Sequence, residues 1–447
     1  MFTYIKLKNF LSFGEITLDL KQTATSVKNF AAIYGENGSG KSNFVRSITL
    51  LCHSLSSFKR AREAEELENL MKMSENKAPI EVLAALVQSG NFLTQISSCR
   101  MLDCDEPSEV EYGFLLDGHE GFYKLVFDSQ ILGESLYWYT GKQRGYLYNI
   151  SLNNDGNIQK KFWGGLFLNK KIDEEINDEV KKFWGKHTFL GIITEQIQEK
   201  NLAYIKENIS PYLLNILDVL RNITVISKQS NHQNTGFITR KPENVLQNLK
   251  SGKISKKLMP QLERSERILK DFFTQTYADI KDVVYEIEFL ENDKIKYQLY
   301  VDKMIAGKIR HVNFNNESAG TQQILEIVRM LLGLFCGVTV VYDEIDDGIH
   351  DILLNNIISS LMDQMTGQLI ITTHNTLLLE TINEKNVYVI AVDYLGQKEF
   401  KCLDDFAIQK NVNVRLKYLK GLFGGTPYID GVDYDSIVAE LTETQEE

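Results

Sequence analysis

Gly35-Glu36-Asn37-Gly38-Ser39-Gly40-Lys41-Ser42 is the stretch whose reading decides the rest of the chain. It fits the phosphate-binding pattern G-x-x-x-x-G-K-[ST] at every constrained position. Phe30-Ala31-Ala32-Ile33-Tyr34 before it is a short apolar run that reads as a buried strand. Asn43 to Leu51 after it carries apolar residues at helical spacing. Gly38 and Gly40 let the backbone come close to an anion and take dihedrals closed to other residues. Their N–H groups, with the N-terminus of the following helix, form an anion cradle. Lys41 is expected at the β- and γ-phosphates of ATP, and the Ser42 hydroxyl on Mg²⁺. Gly35, Glu36, Asn37, Ser39 and Asn43 complete the expected nucleotide-binding set.

A second carboxylate-bearing strand lies far downstream. Gly337-Val338-Thr339-Val340-Val341-Tyr342 is apolar and ends in Asp343-Glu344. Two carboxylates at the end of a buried strand are costly unless something cationic meets them. A metal and a nucleotide supply that reason: Asp343 is expected to hold Mg²⁺ and Glu344 to polarise the attacking water. Just upstream, Asn316-Glu317-Ser318-Ala319-Gly320-Thr321 opens an apolar helix, Ile324 to Phe335. Ser318, Gly320 and Thr321 there make a second anion-binding helix terminus. Gln368 to Thr373 is a further buried strand, ending at His374.

Taken together, phosphate loop, Ser-x-Gly-Thr helix start, Asp-Glu strand, Ile345–His350 and His374 resemble the motif order of an ABC-type ATPase head. The class is that of OLD-, RecF- and SMC-like proteins. The resemblance makes Ser318–Thr321 the signature motif, which completes the site of another subunit. It makes 345–350 the D-loop and His374 the switch histidine at the γ-phosphate. Leu7-Lys8-Asn9-Phe10-Leu11-Ser12-Phe13 is similar to the opening segment that packs near adenine in that class. Asn413 to Pro427, with its Tyr418-Leu419-Lys420-Gly421-Leu422-Phe423-Gly424-Gly425, resembles the closing motif of bacterial abortive-infection ATPases related to OLD.

The resemblance implies an α/β fold, an ABC-type P-loop head with a mixed sheet and an N-terminal antiparallel β subdomain. It implies ATP hydrolysis and a homodimer or higher homo-oligomer closed over ATP. It further implies a regulatory role in anti-phage defence beside a nuclease or toxin effector encoded nearby. The alternative is a RecF-like, DNA-binding ATPase of DNA repair or maintenance.

Bulk properties set the limits. The 447 residues carry a net charge of -11, which argues against a general nucleic-acid-coating surface but leaves room for one basic groove. Five scattered cysteines complete no zinc site and read as reduced thiols of a cytoplasmic protein. No apolar run is long enough to span a bilayer. Residues 1–170 are expected to form an N-terminal ATPase lobe with the P-loop and an antiparallel sheet. Residues 171–282 are read as a mainly helical insertion or lid, with helix running to about Ile280, and 283–447 as a C-terminal lobe. The insertion shows no sustained heptads, so an extended coiled-coil arm is not expected. Lysines 241, 250, 253, 256 and 257 are read as a solvated face or a DNA- or partner-contacting patch. The acidic residues after His374 read as surface charge, and too few residues follow it for an added nuclease domain.

Overall fold

The computed structural model describes residues 1–73, 91–227, 246, 248–406, 413–426 and 431–443. The helix expected over Ile80–Val87, most of the polar loop at 227–242, Lys241, Pro427 and Asp430 lie outside the described residues.

The first ten strands are β1 (Phe2–Phe10), β2 (Phe13–Asp19), β3 (Lys21–Thr23), β4 (Ser26–Val27), β5 (Phe30–Tyr34), β6 (Ser108–Leu116), β7 (His119–Phe127), β8 (Ile131–Tyr139), β9 (Arg144–Leu152) and β10 (Ile158–Phe162). Then come β11 (Ile223–Ile226), β12 (Ser251–Ser255), β13 (Ile280–Leu290), β14 (Lys294–Ile305), β15 (Lys308–Asn313), β16 (Thr339–Tyr342), β17 (Gln368–Thr372), β18 (Val387–Val392) and β19 (Lys398–Cys402). The opening hairpin pairs β1 with β2, and β1 continues into an antiparallel sheet of order β10-β9-β8-β7-β6-β1-β2. This is the N-terminal antiparallel body that the alternating residues of 110–139 predict.

The central sheet has the order β11-β16-β17-β5-β18-β19, parallel except for β19. Its parallel strands are largely apolar on both faces, as parallel strands covered by helices are. Period-two alternation sends their side chains into two different cores. On β5, Ala31 and Ile33 join the core shared with the antiparallel sheet, while Phe30, Ala32 and Tyr34 join the other. On β17, Ile370 faces the first core and Leu369 and Ile371 the second. The helix after the P-loop, α1 (Lys41–Leu55), packs in the first core through Phe44, Val45 and Ile48. The helices Ala319–Phe335 and Asp351–Leu361 pack in the second.

The stretch 171–282 is distributed over three places. Helices Lys170–Phe183, Phe189–Glu199, Leu202–Asn208 and Pro211–Arg221 share the first core with the antiparallel sheet. β11 runs parallel to β16 as the outermost strand of the central sheet. The remainder joins the small sheet β12-β14-β13, with β15 also on β14. Helix does not run unbroken from 241 to 280: Ser251–Ser255 is a strand whose Ile254 pairs with Ile295, and the helix spans Met259–Thr276. Five residues with one apolar side chain give no periodic signal, so only the partner strand reveals β12. A short helix, Phe92–Ser97, precedes the antiparallel strands, and the Asn91 side chain caps it by accepting from Leu93 and Thr94 N–H. Among the described residues no helix is long and apolar enough to cross a membrane.

Candidate functional site

β5 delivers the chain to the loop 35–42, and α1 leaves from it. Gly40 caps α1 in the left-handed region (φ 110°), and Gly38 is also left-handed (φ 84°). Close approach explains two of the glycines. A Cβ on Gly40 would meet the Phe13 ring at 2.6 Å, and one on Gly35 would meet Ser39 Oγ at 2.5 Å. The β1–β2 turn is therefore pressed onto the loop, and Phe13 is fully buried there. Lys41 is buried, and its Nζ donates to the carbonyls of Gly35 (2.8 Å) and Glu36 (3.1 Å). Burial pushes the Lys41 pKa down, against the pull of Glu344, Asp343, Asp346 and Glu36. The lysine thus lies in the field of the carboxylates 300 residues downstream. Ser39 Oγ is buried and makes no hydrogen bond. An orphaned hydroxyl inside a glycine-shaped anion cradle fits a phosphate ligand.

The carboxylates are set by β16 and β17. Asp343 is buried; its N–H donates to the Ile226 carbonyl of β11 (2.8 Å), and its Oδ1 accepts from Thr372 Oγ1 (2.6 Å). Thr372 Oγ1 also accepts from the Glu344 N–H (2.8 Å). Glu344 is exposed and left-handed (φ 52°), an uncommon geometry for a residue with a side chain. One threonine thus fixes both acidic residues, and nothing in a strand-forming run Leu-Ile-Ile-Thr announces that role. Ser42 and Asp343 carry oxygen donors of the kind that suits Mg²⁺, which is held by few protein ligands.

His374 is exposed, and its N–H donates to both Asp346 oxygens at 3.2 Å. Desolvation of the ring and then the Lys41 charge push its pKa down, opposed by Asp346 and Glu344.

The Ser318–Thr321 terminus is formed as the sequence predicts. Ser318 caps helix Ala319–Phe335, accepting from Thr321 N–H (3.2 Å). Gly320 abuts the turn 345–350: a Cβ there would lie 2.5 Å from the Gly348 carbonyl. Among the described residues no hydrogen bond or ion pair joins 316–323 to 35–43. Glu317 is buried and paired with Lys303 (2.9 Å), which ties the helix start to β14.

Besides Thr372, sequence reasoning misses Lys398, and it does not place the partners of Asn43 or Tyr418. Lys398 donates to Ser12 Oγ (2.9 Å) and to the Gly38 carbonyl (3.0 Å). Asn43, expected at nucleotide, donates through Nδ2 to the same Ser12 Oγ (2.8 Å). From the C-terminal motif, Tyr418 packs edge-on against Tyr34 (5.4 Å) and donates to the Gly425 carbonyl (3.0 Å). Gly425 is left-handed, and a Cβ there would lie 3.3 Å from the Gly35 Cα. The motif was legible as a resemblance, but its place under the loop was not.

A family model described as "AAA domain, putative AbiEii toxin, Type IV TA system" matches residues 30–380. No curated protein matches the chain at a significant level. Solved structures that align with it include the SMC head bound to the C-winged helix domain of ScpA, at 14% identity over 90% of this chain and 97% of that one, TM-score 0.43. The SMC head domain from Thermotoga maritima aligns at 12% identity over 90% and 98%, TM-score 0.36. The head with an extended coiled coil bound to the C-terminal domain of ScpA, from Pyrococcus furiosus, aligns at 13% over 94% and 99%, TM-score 0.39.

Proposed function

We propose a function from this premise: the chain belongs to the AAA-domain family described as putative AbiEii toxin of type IV toxin–antitoxin systems, and its fold is that of an ABC-type P-loop ATPase head. It binds ATP with Mg²⁺ at 35–43, hydrolyses it, and uses the cycle as a switch that controls a partner effector, a nuclease or toxin, in anti-phage defence. The observation that carries the nucleotide reading is the placement of Lys41. A buried ammonium held over the loop by two backbone carbonyls faces the field of Asp343 and Glu344.

Each residue has a task under this reading. The glycine loop and α1 N-terminus supply backbone N–H donors, and Lys41 a charge, to the phosphates. Ser42 and Asp343 offer the oxygens that would hold Mg²⁺, which when bound neutralises phosphate charge. Glu344 accepts a proton from the attacking water, and Thr372 holds it in place. His374 offers its ring near Lys41. Ser318, Gly320 and Thr321 act on the nucleotide of a second copy: among the described residues none of them bonds to the loop of its own chain, and Gly320 abuts the 345–350 turn. The homodimer is therefore the hydrolysing unit.

Lys41→Ala tests the site. It leaves the cradle with backbone donors only, so ATP binding is expected to be lost in a titration. Wild-type affinity in that variant would contradict the assignment.

A further inference from the structure

Lys398 stands on β19, 360 residues beyond the loop whose Gly38 carbonyl it touches. Its ammonium joins three elements: the β1–β2 turn through Ser12 Oγ, the loop through Gly38, and β19 itself. It also lies 5.7 Å from the centroid of the Phe13 ring, which packs on Gly40. Ser12 Oγ in turn accepts from Asn43 in the first turn of α1. Half of the lysine is buried, and burial pushes its pKa down against the pull of Glu36.

The peptide after Gly38 is held by hydrogen bonds at both ends: Lys398 on its carbonyl and, through the Ser39 N–H, the Glu36 carbonyl (3.1 Å). Gly38 is exposed, left-handed, and has open space where a Cβ would stand, so sterics do not fix the peptide that follows it. Its orientation decides the sign of the local field. With the carbonyl turned outward the loop presents N–H groups to an anion; with it turned inward it presents a partial negative charge. A cation clamped on the carbonyl fixes which arrangement the loop keeps.

We propose that Lys398 is a positioning residue of the nucleotide site: its bond to the Gly38 carbonyl fixes that peptide and so sets the affinity of the loop for the phosphates of ATP. This rests on the reading of residues 35–43 as the nucleotide site. Lys398 touches none of the proposed reacting groups, so its effect falls on binding and not on the chemical step. The charge, not the length of the stem, is what the contact requires. Lys401, on the same strand, pairs with Glu399 at 3.8 Å and serves as the neighbouring control.

The test compares the full chain with Lys398→Met, Lys398→Arg, Ser12→Ala and Lys401→Met. ATP affinity is measured by titration with Mg²⁺, and KM and kcat by steady-state hydrolysis. Loss of a charge-assisted hydrogen bond corresponds to roughly tenfold or more in affinity. Lys398→Met is expected to raise Kd and KM by about that factor, with kcat held within about threefold. Lys398→Arg restores most of the affinity, Ser12→Ala weakens it by less, and Lys401→Met leaves it unchanged. If Lys398→Met fails to fold, Ser12→Ala with Lys398→Arg decides. Wild-type affinity in Lys398→Met or, in that case, in Ser12→Ala overturns the proposal, as does a loss confined to kcat or one that arginine fails to rescue. A wild-type chain that binds no ATP sinks the site reading itself, and is distinguished by that arm alone.

Discussion

At the scale of single residues, the acidic pair is organised by a side chain that carries no charge. Thr372 donates to Asp343 and accepts from the Glu344 N–H, and Glu344 sits at φ 52°. Removing the hydroxyl frees the buried aspartate oxygen and the backbone of the proposed base together. Thr372→Val keeps the shape and is expected to lower kcat by about 10–100-fold, the usual cost of losing an outer partner of a metal-binding carboxylate. Thr372→Ser keeps the hydroxyl and is expected to retain most activity. Steady-state hydrolysis by the two variants checks this; equal loss in both would point to packing instead. The loop glycines, Lys41, Asp343, Glu344 and His374 were all legible in sequence because each belongs to a spaced motif. Thr372 and Lys398 were not, because a threonine ending a strand and a lysine on an outer strand look like ordinary surface and sheet residues. Only the fold brings them to the site.

At the scale of elements, the antiparallel sheet is joined to the helices beside α1 by one buried carboxylate. Glu134 on β8 accepts from Tyr123 and Tyr148 hydroxyls, Trp184 Nε1, and the N–H groups of Phe189 and Leu190. Burial pushes its pKa up, and those hydrogen bonds oppose the shift. Both oxygens face backbone N–H donors, which suits an acceptor-only carboxylate at the start of helix Phe189–Glu199. Glu134→Ala strands these donors in the core and is expected to lower stability by at least about 3 kcal/mol. Denaturant unfolding measures it; a loss below about 1 kcal/mol would show the hub to be dispensable. Elements with strong alternation, β6 to β8, were legible from sequence. β12 was not, nor was the division of 171–282, because a strand's sheet is chosen by its partner and not by its own residues. β11 illustrates this: three apolar residues and a threonine after a helix give no sign that they lie parallel to β16.

At the scale of the whole molecule, the central sheet divides two cores and also divides the proposed site. α1 lies with the first core, while the Ser318 helix and the 345–350 turn lie with the second. β5, β16 and β17 bring their C-terminal ends together between them, which is where ligands bind in open α/β sheets. The C-terminal motif packs against the loop, Tyr418 on Tyr34 and Gly425 beside Gly35. Among the described residues no hydrogen bond or ion pair joins Ser318 to its own loop, and the proposed site takes its Ser318 from a second chain. Glu344→Gln tests this two-chain site most directly. The amide keeps the size but cannot act as a base, which slows hydrolysis by about 10²–10⁴-fold. Removing the charge also favours retention of the triphosphate. Light scattering of this variant after size-exclusion chromatography with ATP and Mg²⁺ is expected to give twice the 51.2 kDa chain mass, reverting to one chain when Ser318→Arg is added. A single-chain mass with ATP bound, or hydrolysis by Glu344→Gln at the wild-type rate, would contradict the account.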